Sequence, residues 1–162
     1  MLNRRESFIS SLKLEMVYIP KNLWKQSLFY LLPRNAWRSL RREYIRQYGY
    51  ECEICGSRRR IQLHELWEFD DKRYIQTLTG LILVCWKCHR VIHLGGKERY
   101  YRECDAFWVK HFCKVNGCRE VTFWQEINRL RHLKRLRDKH KYKIRFGEFK
   151  ERVEECIAVQ SR

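Results

Sequence analysis

Cysteine and histidine recur at metal-binding intervals between residues 52 and 93. The run reads Cys52-Glu-Ile-Cys55, then His64-Glu65, then Cys85-Trp-Lys-Cys88-His89-Arg-Val-Ile-His93. Two Cys-x-x-Cys pairs offer four thiolates, a complete tetrahedral set for one zinc ion. With that site closed, His64, His89 and His93 are left over. Leftover imidazoles beside a closed zinc site point to a second divalent ion that keeps positions open for chemistry. Hydrolysis of a phosphodiester needs such an ion at the scissile phosphate and a base on the attacking water. A softer divalent ion, Zn²⁺, Mn²⁺ or Ni²⁺, suits three imidazoles better than Mg²⁺ does.

These ligands must be positioned by local structure. His89 and His93 are four residues apart, so a helix sets them on one face about one turn from each other. On a bland reading they are a surface or phosphate-contacting pair. A short helix starting at the second cysteine pair carries both and ends at Gly95-Gly96. Ile61 to Phe69 reads as a strand that holds His64, and Asp70 to Arg73 as a polar turn. Tyr74 to Leu78 leads back, Gly80 breaks it, and Leu81 to Val84 is a short buried run delivering Cys85. Strand, turn, strand, helix is the order that brings the three imidazoles together.

The flanks read as follows. Leu12 to Tyr18 alternates apolar residues at 12, 14, 16 and 18, a strand pattern closed by Pro20. Asn35 is the expected N-cap of a helix running to about Tyr48, with Gly49 as its stop. Lys97 to about Val115 reads as a long helix ending at Asn116-Gly117. Another spans about Glu120 to His140, with Phe123, Ile127, Leu130, Leu133 and Leu136 as its stripe. Tyr142, Ile144 and Phe146 alternate like a strand, and a last helix runs from about Glu148 to Val159. The division expected is an N-terminal strand and helix segment at 1–50, a zinc core at 51–96, and a basic helical extension at 97–162.

The chain has 162 residues and a formal charge of +16, from 35 Lys and Arg against 19 Asp and Glu. A field of that sign draws polyanions, most simply nucleic acid. Arg58, Arg59 and Arg60 lie between the first cysteine pair and the strand, placed for backbone contacts. Arg131, Lys134 and Arg135 belong to a denser basic run from Arg129 to Arg145, which can lie along phosphates or form a solvated face over the leucine stripe. Apolar stretches are too short to span a bilayer, and residues 1–6 lack the apolar segment of a signal peptide. Paired Cys-x-x-Cys spacing without an export signal favours zinc over disulfides and a cytoplasmic location. Cys104, Cys113 and Cys118 with His111 could form another zinc site, but their spacing matches no regular knuckle, and the cysteines read as small core residues. Trp67 and Trp86 read as packing around the hairpin.

The stretch from Cys52 to His93 resembles the HNH, or ββα-metal, endonucleases in their four-cysteine form. It is most similar to small bacterial members reading CEIC, then HE-x-W-E, then GL-x-x-x-C-x-x-CH-x-x-x-H. Here these are Cys52 to Cys55, His64-Glu65, Trp67-Glu68, Gly80-Leu81 and Cys85 to His93. Weaker likeness reaches Leu32-Pro33-Arg34, Trp37 and Lys114-Val-Asn-Gly117. The resemblance implies an α+β fold: a treble-clef ββα core with a flanking N-terminal strand and helix and a helical C-terminal extension. It implies metal-dependent cleavage of DNA, with RNA as the other substrate, and it adds Mg²⁺ to the candidate ions. A protein partner or a second copy of the chain are the other candidate partners.

In that family a strand histidine is the general base. A neighbouring Asp or His joins one or two helix residues on the metal, and a middle Asn orients the hairpin. This chain has His64-Glu65 instead of Asp-His or His-His, and Gly80 at the Asn position. Two registers follow. In one, His64, His89 and His93 hold the metal and Glu65 sits in the base position. In the other, His64 is the base and the two helix histidines hold the metal, with or without Glu65. The first gives the better ligand set. The alternative class is a non-catalytic zinc module that binds nucleic acid or protein.

Overall fold

The centre of the molecule is a two-stranded hairpin that runs straight into a helix. In the computed structural model, which describes residues 12–96, 104–151 and 153–155, β1 (Ile61–Asp70) pairs antiparallel with β2 (Ile75–Cys85). The register runs from Ile61 opposite Cys85 to Asp70 opposite Ile75, with an irregularity between Leu66 and Trp67. Asp70 closes the turn by accepting from the Lys72 and Arg73 amides at 3.1 and 2.9 Å. Gly80 does not break the strand as expected. It lies opposite Leu66, where the register shifts, so the glycine marks a bulge inside one continuous strand. Leu81, Leu83 and Val84 are fully buried. Helix α3 (Trp86–Ile92) follows β2 without a loop, and a 3₁₀ turn (His93–Gly96) ends it.

Upstream, α1 (Leu28–Leu31) and α2 (Arg34–Tyr48) pack against this unit. In α2, Leu40 is buried and Trp37, Tyr44 and Ile45 flank it on the core at helical spacing, while Tyr48 at the end of the helix is exposed. Pro33, not Asn35, precedes the first turn; Asn35 lies inside the helix, where its side chain accepts from the Ala36 amide. Pro33 stands one residue before the helix with an extended ψ of 147°, and its ring-fixed φ suits that entry.

Residues 12–18 form no strand, and the chain bends at Lys13 and Leu14. Leu14, Met16 and Tyr18 are buried in alternation as expected, yet the backbone finds other partners. The Asn116 amide bonds both the N–H and the C=O of Leu14, Arg129 donates to the Met16 carbonyl, and Arg137 to that of Tyr18. Val17 donates to the Ile92 carbonyl at 2.9 Å. The arm thus crosses the turn after α3, where a Cβ on Gly95 would stand 2.7 Å from the Val17 oxygen.

Downstream, α4 (Ala106–Asn116) starts at Asp105, whose carboxylate caps Phe107. Of the helix expected from Lys97 to about Val115, residues 97–103 lie outside the described residues; Cys104 and Asp105 are not helical, and α4 begins after them. Helix α5 (Glu120–Arg137) ends three residues before His140 because Asp138 and Lys139 already turn away. Phe112 and Phe123 join α4 to α5 with ring centres 5.4 Å apart. Of the expected stripe, Phe123, Ile127 and Leu130 are fully buried, whereas Leu136 is 37% exposed. Strand β3 (Lys143–Arg145) adds to β2 in parallel, giving the order β1-β2-β3. A 3₁₀ turn (Gly147–Phe149) leads into helical residues 150–151 and 153–155; the rest of the expected last helix lies outside the described residues.

The fold is mixed α+β. One hydrophobic cluster takes residues from all three expected segments, from Leu14 through Leu83 to Val153. Among the described residues no helix is long and apolar enough to cross a membrane.

Candidate metal centres and the cavity beside them

The first cysteine pair sits in a tight knuckle after α2. The Cys52 amide donates to the Ser57 carbonyl and the Gly56 amide to the Cys52 carbonyl, both at 2.9 Å. Gly56 takes φ +72°, a left-handed turn that other residues adopt only with strain. Glu53 ties the knuckle to β2: its amide donates to the Leu83 carbonyl, and its carboxylate accepts from the Leu83 amide. The second pair starts α3, where the Cys85 sulfur caps the Cys88 amide at 3.5 Å.

The four sulfurs lie within 4.8 Å of one another, and Cys55 Sγ is 3.6 Å from Cys85 Sγ. A tetrahedral ion with zinc–sulfur bonds of about 2.3 Å sets its sulfurs about 3.8 Å apart. The donor set and the spacing therefore fit a zinc ion. A hydrogen bond from Cys88 holds the Cys52 thiol down at about 4, and the same bond pushes Cys88 far up. Burial raises Cys55 to about 11. Behind the cluster, His111 of α4 reaches Cys88 Sγ with its Nε2 at 3.3 Å. That ring buttresses the cysteine site, a contact sequence spacing did not reveal.

The three histidines converge on a second point. His64 comes from β1, His89 from α3 and His93 from the residue closing α3. Their nitrogens also lie within 4.8 Å of one another, and the Nε2 atoms of His89 and His93 are 3.1 Å apart. Imidazoles on one ion at about 2.0–2.1 Å stand about 2.9–3.4 Å apart, so this spacing fits a shared metal. Burial lowers all three rings from the ordinary histidine value, His89 to about 4. Neighbouring rings lower His64 and His89 further, and Arg90 lowers His93. Each shift favours the neutral ring, the form a metal ligand takes.

Glu65 follows His64 on the strand and takes a different direction. Its Oε1 accepts from the Phe29 amide at 2.8 Å, and its Oε2 from the Trp67 indole at 3.2 Å. Burial raises its carboxyl, and the bond from Phe29 offsets part of that rise. Its oxygens belong to neither ligand cluster among the described residues. Glu65 and the three histidines nevertheless border one cavity of about 740 Å³, walled by Trp24, Phe29, Tyr30 and Trp37.

The basic residues divide. Arg58, Arg59 and Arg60 are exposed beside the knuckle, with Arg58 paired to Glu51. On α5, Arg135 is exposed, Arg131 bonds Asn128, and Lys134 bonds Asp138 at 3.0 Å. Arg137 is buried: it forks onto Asp71 and stacks 3.7 Å from the Phe69 ring centre. Part of the basic run is therefore internal scaffold. Trp67 lines the cavity as well as packing the hairpin; Trp86 packs against Phe107 and Trp108. No known family, curated protein or solved structure matches the chain.

Proposed function

We propose that this protein is a metal-dependent endonuclease of the HNH type, hydrolysing phosphodiester bonds in DNA. The observation that carries the reading is the convergence of three imidazoles, from β1, α3 and the residue closing α3, beside a four-thiol cluster. In this reading the hairpin, α3 and the knuckle form a treble-clef core. Cys52, Cys55, Cys85 and Cys88 hold a structural zinc, and His64, His89 and His93 hold one divalent ion facing the cavity. When bound there, such an ion would supply Lewis acidity at the phosphate and at the leaving oxygen.

The chain's own groups do the rest. The hairpin, α3 and the turn that closes it fix the imidazoles before substrate arrives, so little reorganisation is needed. Glu65 stands where the family places its base. Its carboxyl is lifted by burial, which brings it nearer the range of a working general base. It takes the proton of the attacking water on Oε2, whose bond from the Trp67 indole, at 3.2 Å, is longer than that from the Phe29 amide to Oε1. The exposed arginines 58–60 draw the phosphate backbone towards the core.

The test is nicking of supercoiled plasmid by the zinc-loaded chain with Mg²⁺, Mn²⁺ or Ni²⁺. Wild type should nick and His89→Ala should not. A Glu65→Gln variant that binds the second metal but does not cut supports Glu65 as base; full activity moves that role to His64. DNA binding without nicking under any of the three ions favours the non-catalytic zinc module.

A further inference from the structure

The cavity beside the triad has walls that phosphate chemistry alone does not explain. Its volume, about 740 Å³, lies in the range of small-molecule sites, roughly 300–1,000 Å³. Trp24, Phe29 and Tyr30 are each about half exposed at its rim, at 51%, 53% and 59%. Rings this large are normally turned inward, and here three gather within seven residues at one opening. Phe29 is braced edge-on between Tyr30 and Trp37, with ring centres 5.3 and 5.5 Å away. Its backbone is pinned by Glu65. The rim is therefore a fixed set of flat apolar faces, not loose side chains.

A second observation points the same way. Gln76 borders the cavity, is 2% exposed, and its Oε1 has no hydrogen-bond partner among the described residues. A buried acceptor left unpaired is costly; Oε1 is itself closed to solvent, so the side chain must turn towards the cavity for a ligand N–H to reach it and remove that cost. Flat aromatic faces, a waiting acceptor and a strongly positive chain describe one occupant: a planar, N–H-bearing ring carried on a polyanion. Each nucleobase presents at least one N–H, and a base can enter such a cavity only when it is out of its stack.

We infer that the cavity receives an unstacked nucleobase next to the scissile phosphate, so that the enzyme acts on single-stranded or locally opened DNA. This rests on the nuclease reading for the identity of the strand, but binding tests it apart from cleavage. Stacking on Phe29 or Tyr30 and donation to Gln76 hold the base, and the imidazoles face its phosphate.

The experiment compares two short single-stranded oligodeoxynucleotides of equal length and charge. One is abasic throughout; the other carries a single central base. Affinity for the full zinc-loaded chain is read by fluorescence anisotropy without added divalent metal. The base-bearing probe should bind roughly 5- to 150-fold tighter, the range for one base–aromatic stack. Phe29→Ala should erase most of that difference, and Gln76→Leu should reduce it by roughly 2- to 12-fold, the worth of one hydrogen bond. Equal affinity of wild type for the two probes overturns the inference, whatever the variants do. Equal affinity with plasmid nicking intact leaves the nuclease reading standing. Base-selective binding without nicking under any metal supports the cavity assignment and removes the nuclease reading.

Discussion

Replacing Asn116 with alanine should unfasten the N-terminal arm, at a cost that follows from two bonds. The Asn116 side chain accepts from the Leu14 amide at 2.9 Å and donates to the Leu14 carbonyl at 3.0 Å. It does for that residue what a neighbouring strand does in a sheet. Leu14 has 0% of its surface exposed, so water reaches its backbone poorly. Each orphaned group costs about 1–3 kcal/mol, and partial access to water brings the pair to roughly 2–4 kcal/mol. An Asn116→Asp change keeps the acceptor but sets a carboxylate oxygen against the Leu14 carbonyl, so it should be no better than alanine. Urea unfolding with zinc in excess, followed by tryptophan fluorescence, gives the difference directly, provided the slope against urea is unchanged. A loss below about 0.5 kcal/mol for alanine would refute the reasoning, the size expected of an ordinary surface change. So would an aspartate variant as stable as wild type.

Three further outcomes follow. The purified chain should carry one tightly bound zinc; Cys88→Ser should lose it together with soluble yield, because a four-thiolate site contributes on the order of 10 kcal/mol to folding. Burial pushes the Asp71 carboxyl up, but hydrogen bonds from Arg137 and Tyr142 outweigh it and hold it below the ordinary 3.8. A carboxyl depressed by folding adds stability above its unfolded value and loses it as pH falls through the folded one. The stability gap between wild type and Asp71→Asn, from urea midpoints at each pH, should therefore be full above about 3.8 and shrink below it. Changing Arg58, Arg59 and Arg60 together to Gln should flatten the salt dependence of duplex binding by about 0.9 for each phosphate they neutralise. An unchanged slope in a filter-binding series would make these arginines a solvated loop.

Local rules carried the core of the site a long way. The Cys-x-x-Cys knuckles and the His89–His93 spacing are short-range geometry, so both ligand clusters were readable from the chain. The boundaries of β1 were readable for the same reason: a strand's pattern is written in its own residues. What escaped depends on partners far away in sequence. Leu12 to Tyr18 alternates like a strand, yet Asn116, Arg129 and Arg137 supply its partners from more than a hundred residues on. Gly80 reads as a breaker by composition, but a bulge opposite Leu66 absorbs it. Arg137 reads as one more surface cation, and only Asp71 and Phe69 reveal it as buried. His111 reads as a stray histidine until α4 brings it to Cys88. The aromatic rim had no signal either, since Trp24, Phe29 and Tyr30 become a wall only when Glu65 fastens the segment to β1.

The central claim is that His64, His89 and His93 hold the ion used for cleavage, separately from the zinc held by the cysteines. The most direct test is the rate of plasmid nicking against added Mn²⁺, for wild type and His93→Ala at equal zinc content. The account predicts that wild type saturates with about one Mn²⁺ per chain, as a single three-imidazole site requires. It predicts no cutting by His93→Ala at concentrations that saturate wild type, with its zinc retained. Nicking by His93→Ala at the wild-type rate and with the same Mn²⁺ dependence would contradict it.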